Sequence, residues 1–203
     1  MSQGKFGPFE EQLFVSDQTH SVVNRCFLEK IDGYYQGACF PFLKGFGSGN
    51  VPLIQASDGS LVSGGTDRGW GARGGKRFAL DRVTWSGKTP FEILEMRAKP
   101  DGFELEFTKK VNQQTVESLD SYELKTYTYI FQGKYGSPVV DETIPEILSA
   151  KMGKSAKTVH LKIKGLQRGH IHELKSGGVL SRKEELSLLH DSAYYTLWNI
   201  PKP

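Results

Sequence analysis

At 203 residues, 37% apolar and 24% charged, the chain is long enough for one large domain or two small ones, each with its own core. Its 26 basic and 23 acidic residues leave a net charge of +3 and are spread along the sequence, so no basic face or tail marks a nucleic-acid or membrane footprint. No stretch has the apolar length of a membrane span, and the N-terminal MSQGKFGPFEEQ lacks the charged-then-apolar order of a signal peptide, which predicts a cytoplasmic protein if the chain is complete. The 23 glycines and frequent aromatics favour short strands joined by tight turns, and the expected fold class is all-β.

In chain order, QLFVSDQ reads as a strand, followed by NRCFLEKIDGYYQGACFPF, two β-rich runs around Asp32-Gly33. That dipeptide suits a two-residue type I′ hairpin turn, because both central residues need positive φ. The turn sets Ile31 opposite Tyr34 and, counting outward, Cys26 opposite Cys39 in a non-hydrogen-bonded pair, with Cα atoms roughly 4.5 Å apart and within disulfide reach. Two buried free thiols are the alternative. Downstream, SDGSLVSGGT reads as a turn and strand and RFALDRVTW as another strand. Between them GWGARG has the letters of the dinucleotide fingerprint, but a strand follows it, so no helix N-terminus is available to hold a pyrophosphate. The glycines there predict a tight inter-strand loop, with Trp70 packed on a neighbour and the arginines exposed.

A boundary is expected near Lys88-Thr89-Pro90, separating residues 1–88 from residues 91–200. The second half is a series of short strands: FEILEMRAKP, FELEFTKKV, YELKTYTYIF, TVHLKIKGL and HIHELKSG, with QQTVESLD as one helical turn. In TVHLKIKGL, Val159, Leu161 and Ile163 alternate with His160, Lys162 and Lys164, as a half-buried strand requires. This is the profile of an antiparallel sandwich.

Several groups of residues are candidates for chemistry. His170 and His172 are two apart on a strand and share a face, so they can bind zinc or copper if a third ligand arrives from His160 or His190. The competing reading makes His172 a structural donor at a strand corner, six residues after Leu166, in the manner of the tyrosine corner. Tyr127, Tyr129 and Phe131 alternate along one strand with Tyr135 following. They form either a flat platform for a sugar or a buried face. Tyr34, Tyr35 and Trp70, with Arg68 and Arg73 nearby, are a second candidate surface. The pairs Asp141/Glu142 and Glu184/Glu185 are adjacent in sequence and cannot flank a bond, and no nucleophile elbow, Cys/His dyad or phosphate loop is present.

The first-half stretches LFVSDQTHSVVNRCFLEKIDGYYQGACFPF and GGTDRGWGARGGKRFALDRVTW resemble the closing blades of glucose/sorbosone dehydrogenase-like β-propellers of large secreted bacterial proteins. The second-half stretches FELEFTKKVNQQTVESLDSYEL and VHLKIKGLQRGHIHELKSGGV resemble the bacterial Ig-like domains that follow such propellers. The resemblance implies a partial β-propeller of about two blades at 1–88, where a closed ring needs at least about four, and an Ig-like or fibronectin-like β-sandwich at 91–200. It further implies an extracellular or periplasmic, sugar-related protein in which this chain is a non-catalytic spacer, docking or carbohydrate-contacting module. The alternative is a subunit of a quinone-dependent sugar dehydrogenase, using pyrroloquinoline quinone and calcium with His20 as candidate base, completed by blades on another chain. A metal-binding sandwich is the third reading. Open blade edges would also favour self-association.

Overall fold

The computed structural model describes residues 5–203. Its strands are β1 (Leu13–Asp17), β2 (Val22–Ile31), β3 (Tyr34–Lys44), β4 (Asn50–Gln55), β5 (Leu61–Thr66), β6 (Phe78–Val83), β7 (Ile93–Lys99), β8 (Gly102–Phe107), β9 (Glu123–Tyr129), β10 (Val139–Thr143), β11 (Ile147–Met152), β12 (Thr158–Ile163), β13 (His170–Lys175) and β14 (Ser192–Leu197). A short helix, α1 (Gln113–Val116), and a 3₁₀ turn over Leu119–Ser121 precede β9. The chain is all-β, with three antiparallel sheets of seven, four and three strands, and among the described residues none closes on itself. No described helix is long and apolar enough to cross a membrane.

Two units divide the chain. The first holds the described residues up to Phe27 and Cys39–Thr89; the second holds Leu28–Ala38 and Pro90–Pro203. The β2–β3 hairpin is therefore shared: its base belongs to the first unit and its tip to the second. Asp32 and Gly33 both have positive φ, 48° and 87°, the type I′ geometry that their sequence favours.

In the first unit β1 pairs with β2, with Leu13 opposite Cys26 and Phe14 opposite Arg25, and β4, β5 and β6 form a meander. Aromatic rings fill its core. Phe14 stacks on Phe42 at 5.3 Å, Phe9 meets Phe42 edge-on at 4.9 Å, and Phe6 and Trp85 close the cluster. The Arg25 guanidinium is enclosed in this cluster, 4.5 Å from the Phe9 centroid and 4.4 Å from that of Phe40, and donates to the Gln12 side-chain oxygen. A planar cation can be buried here because the negative faces of two rings replace part of its hydration.

The second unit is a sandwich. One sheet runs β3–β14–β13–β9–β10 and the other β11–β12–β8–β7. The alternation of FELEF places Phe103, Leu105 and Phe107 fully inside, while Glu104 and Glu106 pair with Lys99 and Arg97 on the solvent side. Phe103 bridges the two layers, 5.0 Å from the Tyr195 ring on β14 and 5.2 Å from the His172 ring on β13. The hairpin tip is tied in by polar contacts. The Tyr195 hydroxyl bonds Glu29 Oε1 at 2.5 Å and accepts from Gln36 Nε2 at 2.8 Å, and Gln36 Oε1 accepts from the backbone N–H of Trp198 and Asn199. Burial, with the Glu29 carboxylate beside it, pushes the Tyr195 phenol up.

The corner hydrogen bond expected at His172 is made elsewhere. Tyr122, at the entrance to β9, donates its hydroxyl proton to the carbonyl oxygen of Val116 six residues upstream, at 2.7 Å. This is the geometry by which a sandwich fixes the turn into a strand. His172 is instead a core residue with no exposed surface, and neither ring nitrogen has a hydrogen-bond partner.

Candidate functional site

Five residues of β9, Glu123 to Tyr127, build one face of the site because strand alternation divides them cleanly. Leu124 and Thr126 point into the core and Glu123 and Lys125 point outward, while Tyr127, on the outer face by alternation, is covered and only 7% exposed, which is the buried-face alternative for this ring. On neighbouring β13, Lys175 stands opposite Glu123, Glu173 opposite Lys125, and Ile171 opposite Tyr127. Cross-strand opposition of unlike charges pulls the ammonium and carboxylate groups together. Lys175 Nζ is 3.6 Å from Glu123, and Lys125 Nζ is 3.6 Å from Glu173 and 3.4 Å from Glu142 on β10. The Glu173 carboxylate, joined by Glu142, raises the Lys125 ammonium above its ordinary value and keeps it charged.

Beside this row lies a hollow of about 550 Å³. Leu119, Tyr122, Ile144, Pro145 and Ile147 supply its apolar wall, and Glu123, Lys125, Glu142, Glu173 and Lys175 supply its polar one. Three carboxylates against two ammonium groups leave the lining with one negative charge in excess. The row continues into aromatics. Lys125 Nζ sits 5.2 Å from the Tyr127 ring centroid, and Tyr127 meets Tyr129 edge-on at 5.7 Å. Burial, with Tyr129 and Glu173 adjoining, pushes the Tyr127 phenol up, so it stays a neutral donor. Beyond the strand end Phe131 and Tyr135 are exposed. A ligand with hydroxyl groups would find acceptors, donors and flat apolar rings along one line; a strongly anionic ligand would meet net negative charge.

Of the residues singled out in the sequence, Tyr127 and Tyr129 come together on β9, and Tyr135 lies in the loop after it; none of the three lines the hollow. Trp70, Arg68 and Arg73 lie in the first unit on the loop between β5 and β6, with Trp70 49% exposed. The chain does pass from strand to strand there: the Asp67 N–H donates to the Arg77 carbonyl and the Gly74 N–H to Ser21 Oγ. Tyr34 and Tyr35 are exposed in the second unit.

The structure does not bring His160, His170 and His172 together. His160 is on β12 in the other sheet, its Nε2 2.9 Å from Asp101. His170 Nδ1 lies 3.0 Å from the Arg168 carbonyl, and His190 Nδ1 lies 2.8 Å from buried Glu92. Among the described residues no three histidine, cysteine, aspartate or glutamate side chains converge as a metal site. His20 is on an exposed turn, bonded to Asp17 at 2.9 Å.

Asp141, Glu184 and Glu185 stay outside the hollow. Glu184 pairs with Lys109 at 2.8 Å. Cys26 and Cys39, in the first unit, are both free and half-buried. Sequence reasoning missed Glu123, Lys125, Glu173 and Lys175. The alternation of charge in YELK and HELK was visible, but which charge faced which depended on the β9–β13 register. Compared with protein-family models, with curated proteins and with solved structures, the chain finds no match.

Proposed function

We propose that the chain is a non-catalytic binding module of a sugar-related, extracytoplasmic protein. Its second unit is read as an Ig-like sandwich that contacts carbohydrate, and its first as the terminal blades of a propeller. The observation that carries the binding reading is the row Glu142–Lys125–Glu173 lining the hollow, continued beyond it by buried Tyr127 and exposed Tyr129. The charged groups offer hydroxyl partners with one negative charge in excess, and the exposed Tyr129 ring offers an apolar platform, a combination suited to a neutral polyhydroxylated ligand. The Tyr122–Val116 corner supports the Ig-like reading of the sandwich. The propeller reading rests on the resemblance of the first-half stretches. Exposed Ile54, Phe78 and Leu80 on one face of the β4–β6 meander support the companion proposal that another chain covers it.

The test is saturation-transfer NMR and calorimetric titration of the full chain with neutral and anionic oligosaccharides. Neutral glycans are expected to bind, with Lys125→Met and Tyr129→Ala each weakening binding by about tenfold or more, the effect of losing one well-placed contact. Binding that survives both substitutions, or a preference for anionic glycans, overturns the proposal.

A further inference from the structure

The hairpin that the two units share carries a second, unrelated chemistry at its base. The type I′ turn at Asp32-Gly33 fixes the register of β2 against β3, and three contacts, two near the turn and one beyond the cysteines, keep that same register. Lys30 lies over the Tyr35 ring at 5.5 Å, Glu29 and Gln36 meet on one hydroxyl, and the Arg25 guanidinium lies over the Phe40 ring. The same register sets Cys26 against Cys39, in the closely spaced, non-hydrogen-bonded class, with Cα atoms roughly 4.5 Å apart. Both cysteines are half-buried, so they are reachable from solvent, and strand alternation puts them on the face opposite Arg25 and Phe40.

We propose that Cys26 and Cys39 form a reversible dithiol–disulfide pair that exchanges with low-molecular-weight disulfides, Cys39 acting as the attacking sulfur and Cys26 as the resolving one. The neighbouring Cys26 thiol lowers the Cys39 thiol to about 7 against the opposing effect of burial, with the Arg25 guanidinium adding to it, while Cys26 is pushed up. Cys39 is the thiol shifted toward its thiolate, which makes it the better attacking sulfur of the two.

The exchange balances in two steps. The Cys39 thiolate attacks one sulfur of the small disulfide, a Cys39–S–S–R bond forms, and R–S⁻ leaves with the electron pair and takes a proton from solvent. Cys26 then gives its proton to solvent and attacks Cys39 Sγ, expelling the second R–S⁻, which is likewise protonated. Two electrons pass from the cysteine sulfurs to the small disulfide, and the product is one intramolecular cross-strand bond and two small thiols. That bond would staple β2 to β3 where residues 28–38 leave the first unit for the second.

The full chain is incubated with oxidised glutathione, quenched by alkylation and weighed intact. The expected product is a monomer lighter by two hydrogens, protected from alkylation and restored by reductant. Cys26→Ser should accumulate a glutathione adduct on Cys39. Cys39→Ser should take up glutathione at least about tenfold more slowly at neutral pH, because only the thiolate attacks. A chain that keeps both thiols alkylatable under these conditions, one that forms only inter-chain dimers, or equal adduct rates in the two variants would overturn the proposal.

Discussion

His172→Leu isolates what the one buried histidine does. The imidazole is fully enclosed on β13, edge-on to Phe103, with Thr126 and Tyr195 opposite it on the neighbouring strands. Burial pulls it from an ordinary 6.5 to about 4, because the protonated ring would lose its hydration, and the nearby His170 charge adds to the effect. The folded chain thus binds fewer protons than the unfolded chain between these two values. The contribution is fully present above pH 6.5, is lost as pH falls through 6.5, and levels off below about 4. A gap of two to three pH units corresponds to about 3 kcal/mol in all, of which about 2 kcal/mol is lost by pH 5. Leucine has no charge to accept and no ring nitrogens to leave unpaired. Urea denaturation at pH 7.5 and 5, read by circular dichroism, should show the variant about 1 kcal/mol more stable than the wild type at pH 7.5, and about 3 kcal/mol more stable at pH 5. An identical acid loss in both proteins would refute the burial argument. A variant weaker than wild type at pH 7.5 would mean that the ring holds something, and zinc-dependent protection of the wild type alone would identify it.

Tyr122→Phe removes the hydroxyl that donates to Val116 at 2.7 Å and strands a buried carbonyl; urea denaturation should register a loss of about 1–2 kcal/mol. Gly102→Ala is expected to cost about 3 kcal/mol in the same assay, since a Cβ there would overlap the backbone carbonyl of Leu161 on β12 and force the two strands apart. Arg25→Lys keeps the charge but not the planar face held between Phe9 and Phe40, and a loss of about 2 kcal/mol is expected by thermal and urea denaturation. Unchanged stability in that variant would show that the stacked plane contributes nothing beyond its charge.

Local signals carried the all-β architecture. Asp32-Gly33 named its own turn, FELEF and TVHLKI named their buried faces, and the strand after GWGARG could be read from RFALDRV alone. Where the period-2 signal was ambiguous, it misled. In HIHELK the apolar Ile171 is set opposite Tyr127 and the polar His172 goes inward with Leu174, because the inward set follows the neighbours on β9 and β14. The corner bond likewise went to Val116 and Tyr122, where α1 and the 3₁₀ turn bring residues six apart face to face, and not to the same spacing at Leu166 and His172. The hollow was the least legible part. Its walls come from residues 119–125, 142–147 and 173–175, and no pairwise spacing in the sequence links three segments that only the sheet order makes neighbours. The division of the hairpin between units is equally non-local: no change in composition marks Leu28 or Ala38.

Edge protection and site formation have a common origin at β10. This strand ends its sheet, and an edge strand with a regular ladder would offer free backbone groups to any passing chain. Between Val140 and Thr143 the pairing with β9 slips by one residue, so that Asp141 and Glu142 together oppose Tyr127, with Asp141 at a φ of 54°. In a regular strand two adjacent side chains point to opposite faces, which is why the Asp141/Glu142 pair looked unable to act together. The bulge breaks that rule locally. It re-aims the strand so that Glu142 reaches Lys125 across the sheet face and the chain beyond it, through Ile144 and Pro145, walls the hollow. An exposed ion pair such as Glu142–Lys125 adds little to stability, so stability alone does not account for a third carboxylate gathered beside two already paired lysines. Its placement is better explained by what it presents, an acceptor on the lip of a cavity whose opposite wall is apolar.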